Sequence, residues 1–165
     1  RLVGSEMCIR DSCFDLFVTD ETVNAFRFPA YDYVIEAIDT VSGKLAIVKA
    51  CAAAKTPIVS CMGAGNKLDS TAFEVTDIYR TKVCPLAKVM RKLCRENGIE
   101  RLKVVYSREI PIAAAQSETA AKREGAYKPR VPGSVAFVPS VAGLIAAGEA
   151  VKAIAGVYGN GIDRS

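Results

Sequence analysis

Apolar residues come in short blocks along the chain, and their spacing switches between the period of a strand and that of a helix. Leu16, Phe17 and Val18 predict a short strand, and Thr19-Asp20-Glu21 supplies a cap with acids in the first turn of a brief helix to Phe26. Residues 33–38 form an apolar run broken only by Glu36. Val41, Leu45, Val48 and Ala52 then recur at helical spacing behind the candidate caps Thr40 and Ser42. Pro57 stops that helix, and residues 58–62 read as a buried strand ending in the turn Gly63-Ala64-Gly65-Asn66. Pro85 suits the first turn of a further helix, whose Leu86, Val89, Met90 and Leu93 keep the helical period until Asn97-Gly98; residues 102–106 form the next strand. Residues 135–138 are a strand candidate, and Val141, Leu144, Ile145, Gly148, Val151 and Ile154 continue as a tightly packed helix. Alternating strands and helices predict an α/β fold on a parallel open sheet, which takes its ligands beyond the carboxyl ends of the strands.

Two stretches break the pattern. Residues 1–12 have neither an apolar core nor a period and read as foreign or mistranslated sequence, leaving 13–165 as the domain. Residues 111–132, rich in Ala, Gln, Ser, Lys, Arg and Gly, read as a surface loop or a disordered insertion. The longest apolar run, residues 135–157, is interrupted by Glu149 and Lys152 and is expected to be a buried strand and helix, not a membrane span.

Composition narrows the chemistry. With 165 residues, half of them hydrophobic, the chain can bury one sizeable core. It contains no histidine, which excludes Ser-His-Asp and Cys-His nucleophile activation and His-containing metal sites within this chain. Its six cysteines form no C-x-x-C pair, so zinc ribbons and thioredoxin-type motifs are excluded, and their scatter through apolar runs points to a reducing cytoplasm.

Asp39 and the turn at residues 63–66 follow successive strands, so chemistry is sought there. A carboxylate at a strand end either holds a magnesium ion that bridges nucleotide phosphates or caps the next helix. Gly63, Gly65 and Asn66 either let backbone amides approach a nucleotide or meet a turn's need for positive φ. Cys84 lies just before a helix N-terminus, which favours a thiolate nucleophile, yet a cysteine beside an apolar helix also serves as a small buried hydrophobe. Arg80, Lys82, Lys88, Arg91, Lys92, Arg95, Arg101 and Lys103 crowd a stretch that holds only Glu96 and Glu100 as acids after Asp77. That surplus within a net charge of only +4 suits phosphate contact, against the alternative of a solvated helix face.

Several strings together resemble a known family. Tyr31-Asp32-Tyr33-Val34-Ile35-Glu36-Ala37-Ile38-Asp39-Thr40 with Val41-Ser42-Gly43-Lys44 is similar to the metal-and-nucleotide segment of enzymes that adenylate ubiquitin-like and sulfur-carrier proteins. Ser60-Cys61-Met62-Gly63-Ala64-Gly65-Asn66-Lys67-Leu68-Asp69, Phe73-Glu74-Val75-Thr76-Asp77-Ile78, Thr81-Lys82-Val83-Cys84-Pro85-Leu86-Ala87 and Pro132-Gly133-Ser134-Val135-Ala136-Phe137-Val138-Pro139 resemble, within that superfamily, the tRNA threonylcarbamoyladenosine dehydratases.

The resemblance implies a Rossmann-like sheet of the ThiF/MoeB type. It also implies ATP and magnesium as cofactors, with Asp39 as metal ligand and catalytic residue and with Asp39, Thr40, Lys44, Gly63, Gly65 and Asn66 around the nucleotide. The implied substrate is tRNA, contacted by Arg80, Lys82, Lys88, Arg91, Lys92 and Arg95, and the implied assembly is a cytoplasmic homodimer. No G-x-G-x-x-G turn precedes Asp15, so the first nucleotide-binding βαβ unit is expected to be missing, and the chain alone is expected to be inactive. Two alternatives stay open: an activator of a ubiquitin-like or sulfur-carrier protein that uses Cys84, and a non-catalytic Rossmann-like remnant.

Overall fold

A computed structural model describes residues 12–112 and 133–157. Residues 1–11 of the segment read as foreign, and the loop expected at 111–132 from residue 113 onward, lie outside the described residues. Strand β1 (Val34–Glu36) leads into helix α1 (Val41–Ala54), then β2 (Ile58–Cys61), β3 (Phe73–Asp77), α2 (Pro85–Glu96), β4 (Lys103–Ser107) and α3 (Phe137–Ile154). Helix α1 ends where Lys55 takes a left-handed conformation (φ 57°), with Pro57 two residues on, and α2 ends at Asn97 with Gly98 at φ 68°. Both stops match the sequence expectation.

The four strands form one sheet in the order β1-β2-β4-β3. β1, β2 and β4 are parallel, with Glu36 opposite Ser60 and Ser60 opposite Val104, whereas β3 runs antiparallel to β4. The expected strands that form are parallel, and β3 adds an antiparallel edge. The edge strand β3 is not foreseen from sequence, because five residues alternating Phe-Glu-Val-Thr-Asp, all of intermediate exposure, carry a weak signal.

Helices lie on both faces. On one, Val48 of α1 and Ala87, Met90 and Cys94 of α2 pack on Met62, Val104 and Tyr106. On the other, Ala142 and Ala146 of α3 pack on Val59 and Val105. Alternate residues of β2 and β4 thus point to opposite layers, as the pleat requires. A second cluster fastens the N-terminal segment to α1 through Val23, Phe28, Ala46, Ile47 and Cys51.

Two predicted strands do not form. Leu16 and Phe17 are exposed, and their neighbourhood is organised by side chains instead: the Thr22 hydroxyl donates to the Phe17 carbonyl (2.7 Å), and Thr19 Oγ1 accepts from the Thr22 amide (3.2 Å). In place of the brief helix expected to Phe26 there is a short 3-10 turn, Val23–Ala25. Residues 135–138 are the approach to α3 and its first turn. Pro139 sits in that turn, where its missing N–H costs nothing.

The packing of α3 also differs from expectation. Its buried stripe is Val138, Ala142, Ala146 and Ala150, while Leu144, Val151 and Ile154 face outward and a Cβ added at Gly143 or Gly148 would meet nothing within 4 Å. By length and composition this 18-residue helix is apolar enough to cross a membrane. Its alanine stripe lies on the sheet, and its buried Glu149 pairs with Lys103 of β4 at 3.3 Å.

Candidate functional site

Because β1, β2 and β4 are parallel, their carboxyl ends open on one side of the sheet, and three segments meet there: residues 37–40 after β1, residues 62–66 after β2, and residues 108–112 after β4. Asp39 is exposed at this rim. The N-cap of α1 is Thr40 and carries no side-chain cap bond, so the helix-cap alternative for Asp39 has no hydrogen bond behind it. The first bond of the helix runs from the Lys44 amide to the Thr40 carbonyl (2.9 Å), which leaves the N–H groups of Val41, Ser42 and Gly43 at the same rim without an intrahelical acceptor.

Directly beneath lies a buried polar cluster. Glu36 and Lys44 are each 1% exposed, and Lys44 Nζ donates to Glu36 Oε1 (2.9 Å), Glu36 Oε2 (3.0 Å) and the Cys61 carbonyl (2.7 Å). All three ammonium protons are used. The Glu36 carboxylate also accepts from Ser60 Oγ (2.5 Å) and from the Ile38 amide (2.8 Å). Lys44, expected around the nucleotide, is held between helix and sheet with its ammonium bonded to Glu36 and the Cys61 carbonyl. Cys51 packs beside the cluster; burial, aided by the Glu36 charge, pushes its thiol up to about 11.

In the turn after β2 the left-handed residue is Asn66 (φ 56°), while Gly63 has no positive φ. A Cβ on Gly63 would meet Leu86 of α2 at an ordinary 3.7 Å, so the need for positive φ does not explain that glycine. Asn66 joins three segments: its amide donates to the Gly133 carbonyl (2.7 Å), its Oδ1 accepts from the Gly133 amide (2.9 Å), and its carbonyl accepts from the Ile112 amide (2.7 Å). Beside it, Lys67 is buried and donates to the Ser107 carbonyl (3.2 Å), and desolvation lowers its pKa. Glu109 accepts from the amides of Leu68 and Asp69 and closes the loop after β4 against the loop after β2.

The family model described as the ThiF family matches residues 6–163. The chain belongs to the ThiF family. Within this family it is 41% identical over 143 residues to the tRNA threonylcarbamoyladenosine dehydratase of Bacillus subtilis, an alignment covering 82% of this chain and 56% of that protein. It is 40% identical over 83 residues to the Escherichia coli protein of the same name, covering 50% of this chain and 31% of that one. Crystal structures of E. coli tRNA N6-threonylcarbamoyladenosine dehydratase in complex with AMP and with ATP both superpose with a TM-score of 0.71 at 29% identity. They cover 87% and 88% of this chain, and 56% and 58% of the respective solved chains. The matches span between about a third and just over half of the length of these curated relatives.

The other predicted residues lie on α2 and the segment before it. In this ThiF-family chain Cys84 is 4% exposed, is the N-cap of α2 without a side-chain cap bond, and belongs to the core cluster of Met62, Ala87 and Tyr106. That placement favours packing over attack on a bulky acyl group. Of the basic residues, Arg80, Lys82, Lys88, Lys92 and Arg95 are exposed, with Lys92 3.7 Å from Glu96 and the Arg95 guanidinium 5.2 Å from the Tyr79 ring centroid. Arg91 differs: its Nη1 donates to the carbonyl and the hydroxyl of Thr81, each at 2.6 Å, which ties α2 to the segment before it. This bond engages the side chain that the sequence offers as a tRNA contact. Glu36, Ser60, Lys67 and Glu109 do not stand out in the sequence as site residues; the one available signal is Glu36 itself, a charge inside an otherwise apolar strand.

Proposed function

We propose that the protein carrying this chain uses ATP to activate the threonine carboxylate of threonylcarbamoyladenosine in tRNA and then closes it into a ring with net loss of water. The observation that carries the reading is the exposed Asp39 carboxylate at the common carboxyl end of three parallel strands. It is joined by the names of the relatives and by the ATP and AMP complexes of the E. coli neighbour. A substrate carboxylate oxygen attacks the α-phosphorus, pyrophosphate leaves, and a nucleophilic atom of the same side chain then displaces AMP from the activated carbonyl. Both reacting groups belong to one substrate, so no enzyme thioester is needed, in keeping with the buried Cys84.

The donor set fits a hard cation, because Asp39 offers an oxygen ligand at the solvent edge. A magnesium ion held there would neutralise phosphate charge. Thr40, the free N–H groups of the first turn of α1 and the Gly63 and Gly65 backbone supply neutral polar groups toward the phosphates. The exposed Lys82, Lys88, Lys92 and Arg95 offer cations to tRNA phosphates. The same reading places the protein in the cytoplasm as a homodimer, for which the outward apolar stripe of Leu144, Val151 and Ile154 on α3 is the supporting feature.

The test is Asp39→Asn in the full-length protein that carries this chain, with tRNA-dependent pyrophosphate release as the readout. We expect a loss of roughly a hundredfold, typical of removing an electrostatic stabiliser, with an unchanged melting temperature. Unchanged turnover would remove Asp39 from the reaction, and absence of tRNA-dependent pyrophosphate release by the parent protein would remove the reaction itself.

A further inference from the structure

The buried Glu36 and Lys44 pair contributes nothing directly to the rim, yet its bonds end on the turn at residues 37–40 and on the end of β2, which leads into the rim. The carboxylate's one backbone contact is the Ile38 amide (2.8 Å), the residue before Asp39. The ammonium's one backbone contact is the Cys61 carbonyl (2.7 Å), two residues before Gly63. Ser60 Oγ, from the strand that pairs with β1 in register at Glu36, completes the link. The pair therefore spans the end of β1, the first turn of α1 and the end of β2.

Burial makes this an expensive way to join three elements. Two charges 1% exposed have lost their hydration, and pairs of this kind are often replaceable by apolar residues without harm to stability. What apolar side chains cannot supply is the directed bonds to the Ile38 amide and the Cys61 carbonyl. An independent feature closes the same turn from the other side. A Cβ on Gly43 would lie 2.7 Å from Ile38 Cδ1 and from Thr40 Oγ1, so α1 presses its backbone against residues 38–40. The turn that carries Asp39 is gripped between the carboxylate and the helix.

We propose that Glu36 and Lys44 are positioning residues for Asp39, holding the turn at residues 37–40 in fixed register with the Cys61 to Gly63 segment. The assignment rests on the adenylation reading of Asp39 given above. It requires that removing the pair loosens this turn locally without unfolding the sheet.

The experiment compares the parent with Glu36→Gln, with the doubly apolar Glu36→Leu/Lys44→Met, and with Glu36→Asp as a conservative control, all in the full-length protein. Amide hydrogen exchange is followed at Ile38, Asp39 and Thr40, with the Val104 and Val105 amides in β4 as the report of global opening. Loss of a charge-assisted bond is expected to speed exchange at Ile38 by roughly tenfold to a hundredfold. In the double variant Val104 and Val105 should stay protected, and Glu36→Asp should recover part of the Ile38 protection. Exchange at Ile38 that is unchanged, or that rises only in step with Val104 and Val105, overturns the proposal. The same samples are assayed for tRNA-dependent pyrophosphate release. A positioning role lowers kcat while leaving the KM for ATP nearly constant, whereas equal kcat in the double variant and the parent overturns it. A parent without activity refutes the adenylation reading separately, and the exchange data still decide whether the pair orders the turn.

Discussion

Asn66 and Gly133 hold each other through two hydrogen bonds, from the Asn66 amide to the Gly133 carbonyl and from the Gly133 amide to Asn66 Oδ1, at 2.7 and 2.9 Å. They fasten the turn after β2 to the segment that leads into α3. Asn66 does this at φ 56°, a conformation that asparagine tolerates better than other side chains. Asn66→Gly keeps the backbone and loses one bond, at a cost of about 1 kcal/mol. Asn66→Ala loses the bond and adds left-handed strain, for about 2 kcal/mol or more. Urea denaturation should rank the parent above Asn66→Gly and Asn66→Gly above Asn66→Ala; the reverse order for the two variants would show that φ is not what selects asparagine.

Gly43 offers a test in which helix propensity and packing oppose each other. Alanine is the better helix former by about 1 kcal/mol. The new Cβ, however, would lie 2.7 Å from Ile38 Cδ1 and Thr40 Oγ1 and 2.8 Å from the Val18 carbonyl. The Ile38 methyl can swing away, but the Val18 carbonyl is backbone and moves only with its segment, so overpacking of about 1–3 kcal/mol is expected to win. Gly43→Ala should melt below the parent. A higher melting temperature would mean that residues 18 and 38–40 yield readily and that the turn is not gripped.

The parts of this fold that are legible in the sequence are those where one local signal decides. Pro57 after α1, Asn97-Gly98 after α2 and the apolar blocks of β1, β2 and β4 lie where the pattern puts them, and so Asp39 and Gly63 fall at strand ends as expected. Residues 135–138 mislead because four apolar residues fit a buried strand and a buried helix equally well, and Pro139 stands inside the first turn of α3. The residues at 16–18 have strand composition, but the hydroxyls of Thr19 and Thr22 organise that stretch in place of a ladder. Lys44 is expected at the nucleotide from the resemblance, and the sequence does not reveal its partner Glu36. Its bond to Glu36 depends on β1 and α1 folding back on each other, which no periodicity reports.

Acid stability should depend on Glu149. Burial alone would raise its pKa, but bonds from Lys152 and Lys103 outweigh it and hold the carboxyl below the ordinary value of 4.5. A carboxyl whose pKa is depressed by folding stabilises the native state above its unfolded pKa, and that contribution disappears as pH falls through the folded value. Glu149→Gln should therefore be less stable than the parent at pH 7, and the gap should narrow as pH drops below about 4.5. Urea midpoints at pH 7 and pH 3 measure this; a gap that is constant or wider at pH 3 would show that the deficit is one of packing.

The basic face of α2 separates into two kinds of arginine, which changes the variant best suited to test tRNA binding. Arg91 spends its guanidinium on the carbonyl and hydroxyl of Thr81, itself 5% exposed. Arg91→Ala should thus destabilise the fold by about 1.5–3 kcal/mol, the range for hydrogen bonds from a charged group. Any loss of tRNA binding in that variant would be confounded by unfolding. Lys88 and Arg95 are exposed, seven residues apart and so on one side of the helix, and among the described residues the Arg95 guanidinium meets the Tyr79 ring, a contact worth about 0.5–1 kcal/mol at an exposed site. Lys88→Glu/Arg95→Glu should leave the fold nearly as stable as the parent. It should also weaken tRNA binding and flatten the slope of log affinity against log salt by about 1 for each phosphate that is no longer neutralised. Binding measured at two salt concentrations decides the matter. If affinity and slope both match the parent, these side chains are merely solvated, and the tRNA must be held by another surface of the protein.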